Sequence, residues 1–392
     1  MIYNTLIYII KFFVSFLKFN NEKISKLYCN HNKILKEKNI KNVIWFHCAS
    51  LGEYEQAVTL INSIKKKYKN KILLTFFSPS GYENYSKNNN VDYVYYLPFD
   101  TKKNVKIFIK NIQPKMLFIS GNDFWFNYLN ILSHNKIPVY IFNATFKNQF
   151  YFTIFGYWFL EVLRKSTYFY VKDKLSCQIL KKYKIDNCKY IGNLRCDRII
   201  EKKGNISNIK IINEFKNDKK LIVGGSTYNK DENILIEFLR KENDYKLIIA
   251  PHEINQKRIN EIKRKAKNHC HLFSELENKK LKHNIIIIDK MNILFTLYQY
   301  ADIIFIGGGF NKGIHNILEP LIFYKPVFFG PKYKNFDEAI YMIEKKAAYC
   351  VDSYAEVKKE KLNQKIKESI DQYFNKNKSL HSQIISQVES LK

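Results

Sequence analysis

A carboxylate just inside a helix that follows a buried strand can take a proton from an attacking hydroxyl. The sequence offers one at Glu53, within residues 47–56 (HCASLGEYEQ), where an apolar run gives way to helical spacing. The same residues have a local reading. Ser50-Leu51-Gly52-Glu53 matches S-x-x-E, the capping box that closes a helix start. Gly52 would leave that start open to a substrate. A second chemistry-bearing stretch spans residues 307–331 (GGGFNKGIHNILEPLIFYKPVFFGP). Gly308 and Gly309 stand where backbone N–H groups can approach a phosphate, with Ser226 and Lys312 as candidate helpers. Asn316 and Glu319 fall at an expected helix start, which favours an anion. The Glu319 carboxylate suits the two hydroxyls of a ribose, or serves as a simple N-terminal charge on a strand–turn–helix packing motif. The combination of G-G-G, H-N and E-P points to a nucleotide. Shorter loops place His252 after a strand, as a catalytic or a stacking histidine. Arg195 stands where it can meet a carboxylate, a phosphate or Asp197.

Strands must present these loops. Apolar runs at residues 42–48, 71–77, 91–97, 116–120 and 139–143 alternate with helical spacing such as Ala57, Leu60, Ile61 and Ile64. That alternation predicts parallel strands joined by right-handed crossovers. It restarts at 220–224, 245–250, 284–289, 302–306 and 326–329. The fold class is therefore α/β: two Rossmann-like domains facing a cleft, with ligands at the carboxyl ends of the strands. The predicted boundaries are a membrane-associated helix over 1–20, a first domain over 21–200, a polar linker over 201–217, and a second domain with C-terminal helices over 218–392.

The chain has 392 residues, 46% of them hydrophobic, enough for two cores and against disorder. Its formal charge of +29 favours anionic partners, although Lys-rich solvated faces contribute to it. No RNA-binding signature accompanies the charge, so nucleic acid is not an expected partner. Seven scattered cysteines without C-x-x-C suggest neither a disulfide framework nor a zinc site. Residues 1–19 (MIYNTLIYIIKFFVSFLKF) are apolar and aromatic, interrupted by Lys11 and followed by Lys18, Lys23 and Lys26. The segment lacks the cleavage site of a signal peptide. It reads as a helix lying in the bilayer interface or a short tilted span, its basic flank cytoplasmic.

In this order, IWFHCASLGE, LLTFFSPSG, YLPFD, FWFN, NAT, IGNLRCD, GGST, PHE, GGGFNKGIHNILEP, FGP and NFDEA resemble the family of 3-deoxy-D-manno-octulosonic acid (Kdo) transferases of lipopolysaccharide synthesis. The resemblance covers nearly the whole chain. It implies a glycosyltransferase B-type fold, the acceptor on the first domain and CMP-Kdo on the second. By position it implies Glu53 as general base, and CMP contacts at Pro251, His252, Asn292, Ile293, Leu294, Asn316, Ile317, Leu318 and Glu319. It further implies inverting, metal-independent transfer without a cofactor to the 6′-hydroxyl of a tetraacyl lipid A precursor, at the cytoplasmic face of the inner membrane. Three places depart from the family: Gly121 and Asp123 stand where many members have two acids, Pro251-His252 replaces Pro-Arg, and His47-Cys48-Ala49-Ser50 replaces H-A-V-S. Another sugar-nucleotide enzyme of the same fold and a non-catalytic, basic membrane-binding protein are the alternatives.

Overall fold

The computed structural model describes residues 2–17, 25, 31, 33–37, 40–147, 149–153, 156–278, 281–357 and 362–390. Met1, Lys18, Phe19, Lys23 and Lys26 of the predicted anchor and its flank lie outside the described residues. The chain divides into two compact units, Met1–Arg198 with Asn377–Lys392, and Ile199–Lys376.

The first unit holds β1 (Ile44–Cys48), β2 (Ile72–Phe76), β3 (Tyr93–Tyr96), β4 (Met116–Ser120), β5 (Val139–Ala144), β6 (Tyr168–Val171) and β7 (Cys188–Tyr190). They form one parallel sheet in the order β3-β2-β1-β4-β5-β6-β7. Every residue of β1, β2, β4 and β5 is buried, because helices cover both faces of a parallel sheet. The second unit holds β8 (Lys220–Thr227), β9 (Tyr245–Pro251), β10 (His271–Leu272), β11 (Ile285–Ile287), β12 (Ile303–Ile306), β13 (Val327–Phe329) and β14 (Ala348–Cys350). Its sheet is also parallel, in the order β10-β11-β9-β8-β12-β13-β14. The predicted strands all fall on observed ones. The sequence reading missed β6, β7, β10 and β14; three of these have two or three residues, too short to show a period.

Two stretches differ from expectation. The polar segment 201–217 is largely helical: one helix ends at Gly204, and another covers Lys210–Lys216. Its Ile212 and Phe215 are fully buried, two apolar positions too sparse to register as a pattern. The C-terminal helix Leu380–Ser390, expected with the second domain, packs in the first unit. Leu380, Ile384, Ile385 and Val388 join Phe46, Ile61 and Phe118 in one core. Asp197 holds the start of that helix, accepting from the backbone N–H of Ser379 (2.5 Å) and His381 (3.3 Å) and facing His381 Nδ1 (2.8 Å). This carboxylate is thereby committed to the C-terminal helix.

Helix α1 (Ile2–Leu17) belongs to the first unit. Tyr3 Oη donates to Asp100 Oδ2 (2.5 Å), and the Tyr3 ring lies against Phe126, Trp158 and Phe159. Asp100 also accepts from the N–H groups of Asn127 (3.0 Å) and Tyr128 (3.1 Å), capping the helix Phe126–His134. Leu6, Ile9, Ile10, Phe12, Phe13 and Phe16 are exposed, up to 69% at Phe16. Among the described residues, no helix is long and apolar enough to cross a membrane.

Candidate active site

In each sheet the strand order reverses at one point, and loops leaving the carboxyl ends there form the natural ligand site. In the first unit this point lies between β1 and β4. β1 delivers His47 and, one turn beyond its end, Glu53 at the start of helix α2 (Leu51–Lys67). β4 delivers Gly121 and Asp123.

The Ser50–Glu53 capping box forms. Glu53 Oε2 accepts from the N–H of Ser50 (3.2 Å) and from the N–H of Ala49. The other oxygen, Oε1, faces Gly121, where an added Cβ would stand 2.8 Å away. Gly121 has φ +84°, a conformation that glycine adopts without strain. The departure at Gly121 therefore has a local reason: it leaves room for the Glu53 carboxylate. Burial is the main cause that pushes the Glu53 carboxyl up, to about 7. The field of Asp123 adds to the rise, while His47 and the two N–H donors oppose it.

His47 is 2% exposed in an otherwise apolar strand. Its Nε2 lies 2.7 Å from Asp123 Oδ2 and its Nδ1 2.9 Å from Thr75 Oγ1. Thr75 Oγ1 also accepts from Trp45 Nε1 (2.8 Å), and Asp123 Oδ2 from Trp125 Nε1 (3.0 Å). The Thr75 hydroxyl itself donates to Phe46 O at 3.4 Å. The result is a fixed, mostly buried polar chain beside Glu53. Sequence reasoning missed it because its members are far apart in the chain; the one available signal was a lone histidine inside β1.

In the second unit the order reverses between β8 and β12. β8 carries an irregularity between Gly225 and Thr227, and Ser226 takes φ +52° there. The glycines after β12 permit close backbone approach. A Cβ on Gly307 would lie 2.2 Å from Ser226 O, and one on Gly309 2.5 Å from Gly330 N. The Gly308 N–H, a candidate phosphate donor in the sequence reading, donates to Asp231 Oδ2 at 3.1 Å. Asp231 is 1% exposed and also accepts from the Tyr228 N–H (2.8 Å), so it fastens the glycine loop to the loop after β8. Burial raises its carboxyl to about 6, against those two N–H donors. Sequence reasoning missed Asp231, though an acid in the first turn of the helix after G-G-S-T is a readable signal.

His252 follows Pro251, the last residue of β9. Its ring stacks on His315 (centroids 4.5 Å apart) and on Tyr228 (5.1 Å), joining the loops after β8, β9 and β12. Burial lowers the His252 pKa, while Glu253 opposes the shift. The stacking option of the sequence reading is thus realised. Asn292 has φ +66°, and Ile293 and Leu294 begin the short helix Leu294–Leu297. Asn316 Oδ1 accepts from the Leu318 N–H (3.1 Å) at the start of helix Leu318–Leu321. Glu319, in that first turn, lies 3.8 Å from Lys202 Nζ. Lys312 is exposed in the loop between the glycines and His315. The Arg195 N–H donates to Asn193 Oδ1 at 3.2 Å, in the first unit. Among the described residues, no group of three or more His, Cys, Asp or Glu is placed to hold a metal ion.

Two parallel α/β sheets of this kind define a class shared by glycosyltransferases and sugar-nucleotide epimerases. A UDP-GlcNAc 2-epimerase from Neisseria meningitidis superposes with a TM-score of 0.55 at 14% identity, over 90% of this chain and 100% of that one. A glycosyltransferase from Rickettsia africae gives 0.55 at 16%, over 90% and 98%. Residues 25–198 match the family profile described as 3-deoxy-D-manno-octulosonic-acid transferase (kdotransferase). A bifunctional glycosyltransferase/methyltransferase of Fusobacterium nucleatum is 30% identical over 331 residues, which are 80% of this chain and 51% of that protein. The chain thus spans about half the length of that relative. The 3-deoxy-D-manno-octulosonic acid transferase of Aquifex aeolicus is 29% identical over 320 residues, 79% of this chain and 82% of that one. The chain is thus similar to the 3-deoxy-D-manno-octulosonic acid transferases over more than three quarters of its length.

Proposed function

We propose that this protein transfers Kdo from CMP-Kdo to the 6′-hydroxyl of a tetraacyl lipid A precursor, in lipopolysaccharide core synthesis at the cytoplasmic face of an inner membrane. The observation that carries the reading is Glu53: a carboxyl raised by burial to about 7, at the switch point of the first sheet, within the residues that match the Kdo transferase profile. Such a group is a competent base near neutral pH. In the proposed step, Glu53 takes the proton of the acceptor hydroxyl. The freed oxygen bonds to the anomeric carbon as the bond from that carbon to the phosphate oxygen of CMP breaks, inverting the centre. CMP leaves with the electron pair.

The second unit would hold CMP. Pro251, His252, the turn over Asn292, Ile293 and Leu294, and the segment Asn316, Ile317, Leu318 and Glu319 are its proposed contacts. The clustering of His252 and His315 at strand ends supports this reading. Ser226, Gly309 and Lys312 are proposed phosphate contacts. Gly308 acts instead through its carbonyl and N–H in holding the loop, while Arg195 is retained as a proposed contact for a substrate carboxylate or phosphate. No resident metal or cofactor is invoked.

Helix α1 would lie in the membrane interface. Its 16 residues reach about 24 Å, short of a hydrocarbon core of about 30 Å, and its exposed row of Phe, Ile and Leu suits shallow burial.

The test is turnover of CMP-Kdo with a defined tetraacyl lipid acceptor, products read by mass spectrometry. A Kdo-bearing lipid is the expected product. Thermal stabilisation by CMP but not UDP is expected alongside it. Stabilisation by UDP alone would favour another sugar-nucleotide enzyme, and vesicle binding without turnover a non-catalytic membrane protein.

A further inference from the structure

One cavity of the first unit is lined by none of the residues assigned above to catalysis or to CMP. It is a groove of about 750 Å³ between the helices Lys102–Ile112 and Phe126–His134. Lys102, Lys106 and Lys110 line it at four-residue spacing, on one face of the first helix. That helix, KKNVKIFIKNI, carries no acid, and no carboxylate is among the described residues lining the groove. Like charges at four-residue spacing repel, so the helix gains when an anion sits among them. Asn130 adds a polar side chain and Ile131 an apolar wall.

The groove also has a fixed relation to α1. Asn127, one of its lining residues, donates from Nδ2 to Asn4 Oδ1 (2.8 Å) on α1. The Asp100 carboxylate that accepts from Tyr3 also caps the second groove helix. The groove therefore starts beside the helix that bears the exposed Phe12, Phe13 and Phe16. We propose that this groove binds the anionic phosphate headgroup of a bilayer lipid. The inference rests on the interfacial reading of α1 and adds a headgroup site to it. Apolar insertion by α1 gives no preference among lipids; a cation-lined groove next to it selects anionic ones.

Vesicle co-sedimentation of the full chain tests this, with phosphatidylcholine alone and with phosphatidylcholine containing phosphatidylglycerol. Three proteins are compared: the wild type, Lys102→Gln/Lys106→Gln/Lys110→Gln, and a control of equal charge change, Lys241→Gln/Lys345→Gln/Lys365→Gln, at exposed positions elsewhere. The groove variant is expected to lose at least tenfold in affinity for anionic vesicles and to keep its binding to neutral ones. The control is expected to change less than twofold. Equal losses in both variants would overturn the site in favour of diffuse charge, as would no loss in the groove variant. A wild type that binds neither vesicle removes the membrane reading itself, and the headgroup site with it. If inorganic phosphate at matched ionic strength erases the difference between wild type and groove variant, the ligand is free phosphate and the lipid assignment falls.

Discussion

Glu53 shows how one side chain can be a structural cap and a candidate base at once. Oε2 is committed to the N–H groups of the helix start, which fixes the rotamer, while Oε1 lies toward Gly121. A base works only when ionised, and burial lifts this one to about 7. The value of kcat/KM is therefore expected to rise with pH through a limb near 7, read from initial rates at acceptor concentrations well below KM. Glu53→Gln is expected to remove that limb and to lower kcat by roughly 10²- to 10⁴-fold, the usual share of a general base, with stabilisation by CMP retained. A Glu53→Gln enzyme with normal turnover would leave the carboxyl only its capping role. Gly121→Ala tests the space beside the carboxylate. A Cβ 2.8 Å from Oε1 at φ +84° forces the carboxylate or the turn to move. The expected result is a loss of about 1–2 kcal/mol in stability, measured by urea denaturation, together with a lower kcat. At this scale the sequence was half legible. Ser50 and Glu53 lie three apart, so their capping relation can be read directly. His47, Thr75 and Asp123 meet only because β1, β2 and β4 are neighbours in the sheet, which spacing along the chain does not reveal.

The elements owe their precision to buried charges that hold helix starts. Asp231 fastens the helix Asn229–Lys241 to the glycine loop, and Glu232, fully buried, faces Arg258 and Lys265 of the next helix. Removing Asp231 frees the Gly308 N–H and loosens the loop proposed to meet the donor phosphate. Asp231→Ala is accordingly expected to weaken CMP binding at least tenfold by calorimetry, while the capping box around Glu53, in the other unit, stays intact. Glu232→Ala is a stability mutation of a different kind, because it strands two cations near a buried position. A loss of about 3 kcal/mol is expected in thermal or urea unfolding. The strands around these sites were readable as apolar runs, since a parallel sheet covered on both faces needs no alternation. The helix Lys210–Lys216 was not: two buried residues amid Lys and Asn give no amphipathic signal, and only the tertiary contacts decide it. The C-terminal helix had a readable apolar face but no mark of which sheet it would join. That choice rests on Asp197, some 180 residues upstream, as in its bond to Ser379.

For the molecule as a whole, the distribution of tryptophan separates the two units experimentally. All three tryptophans, Trp45, Trp125 and Trp158, lie in the first unit, so tryptophan fluorescence follows that unit alone. The same unit contains Asp100, 1% exposed, whose carboxyl is raised to about 7, by burial above all and against hydrogen bonds from Tyr3, Asn127 and Tyr128. Raised from an ordinary value near 4, this carboxyl binds its proton more tightly in the folded state than in the unfolded one. Its contribution to stability is thus full below about pH 4 and is lost as pH rises through about 7. Asp100→Asn carries no proton at that position. The stability of the wild type relative to Asp100→Asn is therefore expected to fall between pH 5 and pH 8, by up to about 2.5 kcal/mol, in urea denaturation followed by tryptophan fluorescence. A difference that stays constant with pH would mean that the Tyr3–Asp100 contact holds α1 without a proton on the carboxyl. CMP supplies the complementary arm. Because its proposed contacts all lie in the second unit, CMP should delay unfolding by circular dichroism, which sees both units, and leave the fluorescence midpoint unchanged. A fluorescence midpoint that moves with CMP would mean that the two units unfold as one cooperative body.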